Sequence, residues 1–144
     1  MNITLFSLSF ICTIFMGCTL PKPLDIGLTD KEQDFFKSIV LSLPLDSLNR
    51  SLSIYPLTFR QAEIGYWVNL YPSTGTLKKG IIEKHAHAIA EFVSTQPIKE
   101  GRIITCTIVY YKRGDELGET SFSFKINKEG YTLSNMYLDN TLMD

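Results

Sequence analysis

The chain contains two histidines, His85 and His87, which are its most obvious candidates for chemistry. At this spacing they would share a face of a β-strand, but on a helix their side chains point about 200° apart. The surrounding residues have helical periodicity, so we expect the two rings to diverge and not to share a metal ion. On the helical wheel His85 falls in the apolar arc, which predicts a core histidine with one ring nitrogen hydrogen-bonded, and His87 falls on the polar arc.

An alternative role for His85 is that of an acid–base group in a pocket between this helix and a sheet, because imidazole changes its charge near neutral pH. Its partner would have to come from the sheet, since no carboxylate lies one turn away on the same arc. A second candidate site is the stripe of Glu83, His87 and Glu91, whose i, i+4, i+8 spacing puts them on one helix face. Such stripes are usually solvated, and this one lacks the paired histidines of a zincin helix.

The sequence contains no Ser-His-Asp order, Gly-rich phosphate loop or Cys-x-x-Cys pair. Cys106 lies in the middle of a strand-like run, where a lone thiol is more often a buried hydrophobe than a nucleophile. Arg113-Gly114-Asp115 matches the integrin-binding tripeptide, but a glycine between charged residues is ordinary hairpin chemistry. These observations favour a protein that is not an enzyme and that holds neither a cofactor nor a metal.

Aromatic side chains are more informative than the titratable ones. Trp67 and Tyr71 alternate on one face of a predicted strand, and the adjacent Tyr110 and Tyr111 must point to opposite faces of another. Where a helix covers one side of a sheet, aromatic residues on the other side are typical of protein-recognition surfaces. We therefore single out Trp67, Tyr71, Tyr110 and Tyr111 as candidate partner-binding residues; the alternative is that the N-terminal helix covers them.

Two helices are predicted. A capping box of Thr29 and Glu32 begins the first, and Pro44 ends it. The second is capped by Thr76 and runs to about Val93, with apolar residues on one arc and charged residues on the opposite arc. This pattern is typical of a helix that lies on a sheet.

Strands are predicted where apolar and polar residues alternate. The first runs through Ile64 to Leu70, whose even-numbered residues share one face. In residues 45–56 Leu48 and Leu52 are helically spaced, but the serines and Pro56 fit a turn or a short strand equally well. Three later strands, joined by short turns, should form an antiparallel meander: Arg102 to Lys112, Thr120 to Ile126 and Tyr131 to Leu138.

The predicted fold class is α+β: an N-terminal helix, then strand, helix and three-strand meander, in a two-layer helix-on-sheet domain. From roughly Leu57 to Leu138 this order resembles the cystatin-like and NTF2-like superfamily, in its topology alone. The resemblance implies a curved sheet that wraps one long helix. Ferredoxin-like and other two-layer α+β folds remain open.

The N-terminal segment, Met1 to Leu20, carries no charged side chain from Ile3 to Met16. This apolar core is shorter than the ~20 residues of a membrane-spanning helix and has the length of an export signal. Its end, Phe15-Met16-Gly17-Cys18, resembles the lipobox of bacterial lipoproteins. That resemblance implies cleavage before Cys18 and attachment of lipid, palmitate included, to the thiol and amine of this cysteine.

The predicted organisation is a signal peptide at 1–17, a lipidated cysteine and tether at 18–28, and one globular domain at 29–144. The lipoprotein resemblance implies an extracytoplasmic location in a bacterial cell envelope. Thr19 follows the lipidated cysteine where an inner-membrane retention signal has Asp, which favours the outer membrane in a bacterium with two membranes. The net charge of −1 and the lack of clustered Lys and Arg argue against nucleic acid as a partner.

The leading hypothesis is a membrane-anchored, non-enzymatic protein-binding module, as an assembly factor, an inhibitor or an immunity protein would be. The alternative is an NTF2-like small-ligand binder or enzyme with a pocket between helix and sheet around His85. A third possibility is a purely structural protein or surface antigen.

Replacing the predicted lipid-bearing residue tests the anchor. Cys18→Ser removes the thiol that would carry lipid, so the protein should leave the membrane fraction and lose metabolic palmitate labelling. Labelling of a Cys12→Ser control should be unchanged, because Cys12 lies within the predicted signal peptide. Labelling that survives Cys18→Ser would contradict the lipoprotein prediction.

Overall fold

The structure is a computed structural model that describes residues 22–24, 27–43, 45–57, 61–73, 78–99, 101–111 and 119–139. Within these residues the fold is α+β, with two helices, five long strands and one three-residue strand at the sheet edge. In chain order the elements are β1 (Lys22–Leu24), α1 (Asp30–Ser42), β2 (Leu45–Tyr55), β3 (Glu63–Pro72), α2 (Lys79–Ser94), β4 (Arg102–Tyr111), β5 (Glu119–Asn127) and β6 (Gly130–Tyr137).

One mixed sheet holds the strands in the order β1-β2-β3-β4-β5-β6. Neighbours pair antiparallel except β3 and β4, which are parallel, with Tyr66 opposite Cys106 and Val68 opposite Ile108. A parallel pair needs a long crossover connection, usually a helix, and α2 supplies it here. The strands β4, β5 and β6 follow one another as antiparallel neighbours.

The segment that the sequence left ambiguous is the strand β2. Leu52 is buried and Leu48 is partly buried, and both share the inner sheet face with Ile54. A spacing of four residues fits one face of a helix and one face of a strand alike, so the leucines alone could not decide between the two. This segment pairs with β3 along its whole length, and that pairing identifies it as a strand.

The capping box at the start of α1 is confirmed. The Thr29 hydroxyl accepts a hydrogen bond from the Glu32 amide at 3.2 Å, and the Thr29 amide donates to the Glu32 carboxylate at 2.8 Å. The start of α2 was predicted wrongly: the helix begins at Lys79, and its cap is Lys78, which makes no side-chain capping bond. The predicted cap, Thr76, lies outside the described residues.

Both helices pack on the same face of the sheet. The inner residues of β3, Ile64 to Leu70 at every second position, are fully buried beneath them. Phe35 of α1 stacks on Phe92 of α2 with ring centroids 4.0 Å apart, which joins the two helices directly. Neither helix is long and apolar enough to cross a membrane, among the residues described.

Alanine substitutions at two glycines should have opposite effects on the free energy of unfolding. A Cβ at Gly101 would clash with the backbone carbonyl oxygen of Ala62, the acceptor for the Arg102 amide where β3 and β4 begin. A Cβ at Gly80, in the first turn of α2, would meet nothing within 4 Å.

We therefore expect Gly101→Ala to lower the free energy of unfolding by about 1–3 kcal/mol through overpacking. Gly80→Ala should raise it by about 0.5 kcal/mol, because alanine has fewer conformations in the unfolded chain. Urea unfolding of both variants measures the difference. Equal effects at the two positions would contradict the close approach at Gly101.

Candidate binding surface

No described helix covers the second face of the sheet, which we call the outer face. In β3 the side chains of Trp67, Asn69 and Tyr71 point to it, while their neighbours point to the core, as the alternation predicted. Trp67 keeps 36% of its surface exposed. The alternative, in which the N-terminal helix covers these aromatics, is wrong, because α1 packs on the inner face with Phe36 and Ile39 in the core.

Two aromatic clusters lie on the outer face. In the first, Tyr71 of β3 stacks on Tyr111 of β4, with ring centroids 4.9 Å apart and planes 11° from parallel. Partial burial raises the pKa of the Tyr111 hydroxyl, and the nearby Tyr71 and Glu119 raise it further. The Tyr111 phenol therefore stays neutral at physiological pH and presents a polar edge beside an apolar stack.

The second cluster forms around Gly65. A Cβ at this position would lie 3.4 Å from both the Tyr55 ring and the Trp67 indole nitrogen, and 3.3 Å from the Thr105 hydroxyl. The missing side chain therefore leaves room over the bare backbone for the edges of the Tyr55 ring and the Trp67 indole. Asn69 lies between Trp67 and Tyr71, whose backbones are about 13 Å apart along the strand.

Small hydroxyl side chains surround the aromatic clusters. Ser51 stands opposite Trp67 in β2, and on the other side Thr107 and Ser123 face each other with their hydroxyl oxygens 3.4 Å apart. These short side chains leave the neighbouring Trp67 ring accessible from solvent. The arrangement offers stacking and hydrogen bonding to a partner.

Tyr110 does not belong to this surface, contrary to the prediction that included it. Its side chain is 1% exposed, and its hydroxyl donates to the Ile82 carbonyl of α2 at 3.1 Å. Adjacent strand residues point to opposite faces, so Tyr110 and Tyr111 cannot both point outward. Their opposite orientation was predicted, and the side of the sheet that each takes depends on where the helices pack.

His85 is partly buried and bridges the two helices, so it is not a core residue. Its Nε2 lies 2.8 Å from the Ser42 hydroxyl at the end of α1, and its Nδ1 lies 2.7 Å from the Ile81 carbonyl oxygen. Both ring nitrogens are therefore engaged, where the sequence predicted one. His87 is exposed, as its place on the polar arc predicted, and its ring meets the edge of Phe124 at 5.1 Å.

Metal-binding and thiol chemistry find little support in the described part of the chain. No three His, Cys, Asp or Glu side chains converge there to hold a metal ion, and the stripe of Glu83, His87 and Glu91 does not do so either. Cys106 is fully buried, and burial raises the pKa of its thiol far above the physiological range. A protonated, inaccessible thiol is a packing group and not a nucleophile.

A buried charged cluster of Glu32, Tyr66 and Arg50 was not predicted. The Tyr66 hydroxyl donates to the Glu32 carboxylate at 2.6 Å, and the Arg50 guanidinium lies 3.4 Å from the same carboxylate. The Arg50 side chain is only 5% exposed, and it also donates to the Gly27 carbonyl at 3.1 Å. The available signal was Arg50 itself, a single charge on the face of β2 that Leu48 and Leu52 share.

Burial by itself would raise the pKa of Glu32, but the hydrogen bonds from Tyr66 and Thr29 and the charge of Arg50 outweigh it and lower the pKa. Burial and the neighbouring carboxylate raise the pKa of Tyr66 beyond the physiological range. The cluster therefore consists of a carboxylate, a neutral phenol and a guanidinium. Glu32 and Arg50 line a cavity of about 210 Å³ together with Thr29, Leu52 and residues 96–99.

Lipid attachment at Cys18, with the N-terminal segment Met1 to Leu20, and the tripeptide Arg113-Gly114-Asp115 also lie outside the described residues. No protein-family model, no curated protein and no solved structure matches this chain significantly. The functional argument therefore rests on the chemistry of the residues themselves.

The lowered pKa of Glu32 predicts how stability depends on pH. A carboxyl whose pKa is lower in the folded than in the unfolded chain stabilises the fold above its ordinary value of 4.5. That contribution is lost as the pH falls through the lowered pKa. Glu32→Gln should therefore cost about 1.5–3 kcal/mol at neutral pH, the usual worth of hydrogen bonds to a charged group.

The cost should shrink steadily below pH 4.5. Urea unfolding at a series of pH values measures it. Asp34→Asn, on the exposed side of the same helix, is the matched control and should cost little at any pH. A penalty for Glu32→Gln that stays constant with pH would contradict the charged state assigned to this cluster.

Proposed function

We propose that this chain is a lipid-anchored bacterial envelope lipoprotein whose outer sheet face binds a protein partner, in an assembly, inhibitor or immunity-type role. The observation that carries the binding role is the uncovered face itself. Both helices pack on the opposite side, and the outer face presents Trp67 and the stacked pair Tyr71 and Tyr111. Catalysis receives no comparable support from His85 or Cys106.

The anchor is supported by the sequence alone: an uncharged apolar core ends at Gly17-Cys18, and Thr19 follows. Lipid on Cys18 would hold the domain at the membrane, on the extracytoplasmic side and in the outer membrane of a two-membrane bacterium. Several acyl chains bind a bilayer far more firmly than one, since each buried CH₂ contributes about 0.8 kcal/mol. The partner would then be an envelope or secreted protein.

The chemistry of the outer face supports a protein partner. Trp and Tyr dominate the binding energy of protein interfaces, and truncating such an anchor typically costs at least about 2 kcal/mol. The short Ser and Thr side chains around Trp67 leave the ring accessible and offer hydrogen bonds at its border. Charged side chains are sparse at the centre of the face, as they are at the centres of known interfaces.

A small-ligand pocket is the second candidate. The cavity of about 210 Å³ beside Glu32 and Arg50 is the observation that favours it. It is smaller than the ~300–1,000 Å³ of typical ligand sites, and His85 does not line it. The order of strand, helix and three antiparallel strands supports the finer proposal of a cystatin-like or NTF2-like fold.

The double variant Trp67→Ala, Tyr71→Ala tests the binding role. We expect it to abolish co-purification of the partner from membranes, because it removes one ring from each aromatic cluster. The temperature of unfolding should change little, since neither side chain is in the core. A photo-crosslinking residue at Asn69, between the clusters, should capture the partner in the parent chain and not in the double variant.

Leu41→Ala is the matched control, because Leu41 is 88% exposed and lies on α1, on the side of the sheet opposite the outer face. It should leave co-purification and crosslinking unchanged. Retention of the partner by the double variant would contradict the binding face, and so would unfolding of that variant. His85→Gln should weaken stability more than binding, since its ring bonds Ser42 and Ile81.

A further inference from the structure

The strand β6 forms one edge of the sheet, and β5 is its only neighbour among the described strands. Its side chains from Thr132 to Tyr137 are exposed, including the apolar Leu133 and Met136, which retain 38% and 41% of their accessible surface. No charged residue and no proline occurs from Gly130 to Leu138. Charges and prolines are common devices that keep a sheet edge from pairing with another chain, and this edge has neither.

A β-bulge interrupts the middle of β6. Leu133 lies opposite Phe124 of β5, and Met136 lies opposite Phe122. Three residue steps along β6 therefore correspond to two along β5. Both phenylalanines are buried in the core, which places Leu133 and Met136 on the inner side of the sheet. In a regular strand, residues three positions apart point to opposite faces.

The bulge makes β6 complementary to a second copy of itself. The two strands would run antiparallel about a two-fold axis that passes between Ser134 and Asn135. Leu133 of each copy then lies opposite Met136 of the other. Directly opposite residues share a face of the sheet, so these exposed apolar side chains meet on the inner side and shield each other from water. The contact is isologous, as in most homodimers.

The neighbouring positions match in the same register. Thr132 lies opposite Tyr137, and both point to the outer face, because their partners in β5 alternate with the buried phenylalanines. Tyr131 lies opposite Leu138, and both pack against the core of their own copy. On either side of the bulge, each residue therefore meets a residue that lies on its own face of the sheet.

These matches favour a second copy over an unrelated extended segment. A regular strand alternates strictly between two faces, so one that matched Leu133 would present the wrong face to Met136. The lack of charge favours self-association as well, because a two-fold axis places identical side chains near one another and like charges would repel. An eight-residue edge is small beside the ~800 Å² per partner of a standard interface, so the dimer should dissociate on dilution.

We propose that two copies of this chain pair through β6 and join their sheets into one. The proposal goes beyond the binding role proposed above and does not require lipid at Cys18. Pairing about an axis perpendicular to the sheets puts both outer faces on the same side. Tyr137, which is 58% exposed, adds a ring near the centre of the combined surface. A partner would therefore meet two sets of aromatic clusters, related by the two-fold axis.

Cysteine crosslinking of the full chain, in the cells that express it, tests the dimer. The thiols of Asn135→Cys flank the two-fold axis, so oxidation should yield a disulfide-linked dimer above the level of the parent chain. Ser51→Cys is the matched control: it lies in the same row of the outer face, on β2, and should give no such increase. Equal yields, or a crosslink to a chain of another mass, would overturn the proposal.

A mixed pair of variants tests the register. Leu133→Cys and Met136→Cys, carried by two differently tagged copies in one cell, should crosslink to each other, because their backbones lie directly opposite at the distance that a disulfide spans. Two copies of the same variant should crosslink weakly, since identical positions are about 10 Å apart along the strands. Stronger crosslinking between identical variants would overturn the proposed register.

Charges at the axis test the same contact. In that mixed pair, Asn135→Lys in both copies should abolish the crosslink, because two cations then meet at the axis. Asn135→Lys in one copy and Ser134→Glu in the other place opposite charges face to face and should restore it. Ser51→Lys in both copies is the matched control and should leave the crosslink unchanged.

The temperature of unfolding should not change in these variants, because Ser51, Ser134 and Asn135 are all exposed. A crosslink that survives Asn135→Lys in both copies would overturn pairing through β6. A crosslink that Ser134→Glu fails to restore would overturn it as well.

Discussion

The carboxylate of Glu32 is the point on which the packing of this domain depends. It caps the helix α1 through the Thr29 amide, accepts the Tyr66 hydroxyl from β3, and lies beside the Arg50 guanidinium from β2. One buried charge thereby connects the first helix to two central strands. Removing one member of such a buried group lowers the stability by more than the intact group contributes to it. The reason is that the remaining partners stay buried with an uncompensated charge. The helix α1 is consequently held on the inner face.

Holding both helices on one side has a direct effect on the outer face. The sheet must remain stable with one face in water, and small hydroxyl side chains around Trp67 and the Tyr71–Tyr111 stack meet that requirement. The same composition suits recognition, since rings raised above short side chains can be desolvated by a partner at little cost in side-chain entropy. A sheet face that combines aromatic rings with short hydroxyl side chains therefore suits both solubility and binding.

Local patterns predicted the elements well, because they depend on neighbouring residues. The capping box at Thr29, the alternation through β3 and the opposite directions of Tyr110 and Tyr111 all follow from local geometry. Pairing could not be predicted in the same way: nothing local says that β3 and β4 lie side by side in parallel. The burial of Arg50 and the bridge made by His85 likewise depend on which elements pack together.

The parallel pair β3 and β4 has a consequence for how the chain folds. It is the only junction between the described N-terminal strands and the strands that follow α2, and closing it brings together residues as distant in sequence as Tyr66 and Cys106. Contacts of such long sequence separation form slowly. In a chain exported N-terminus first, as proposed here, β3 would emerge with one edge unpaired until β4 arrived. During that interval the exposed edge is a target for strand pairing by other chains, so a chaperone would have its greatest effect there.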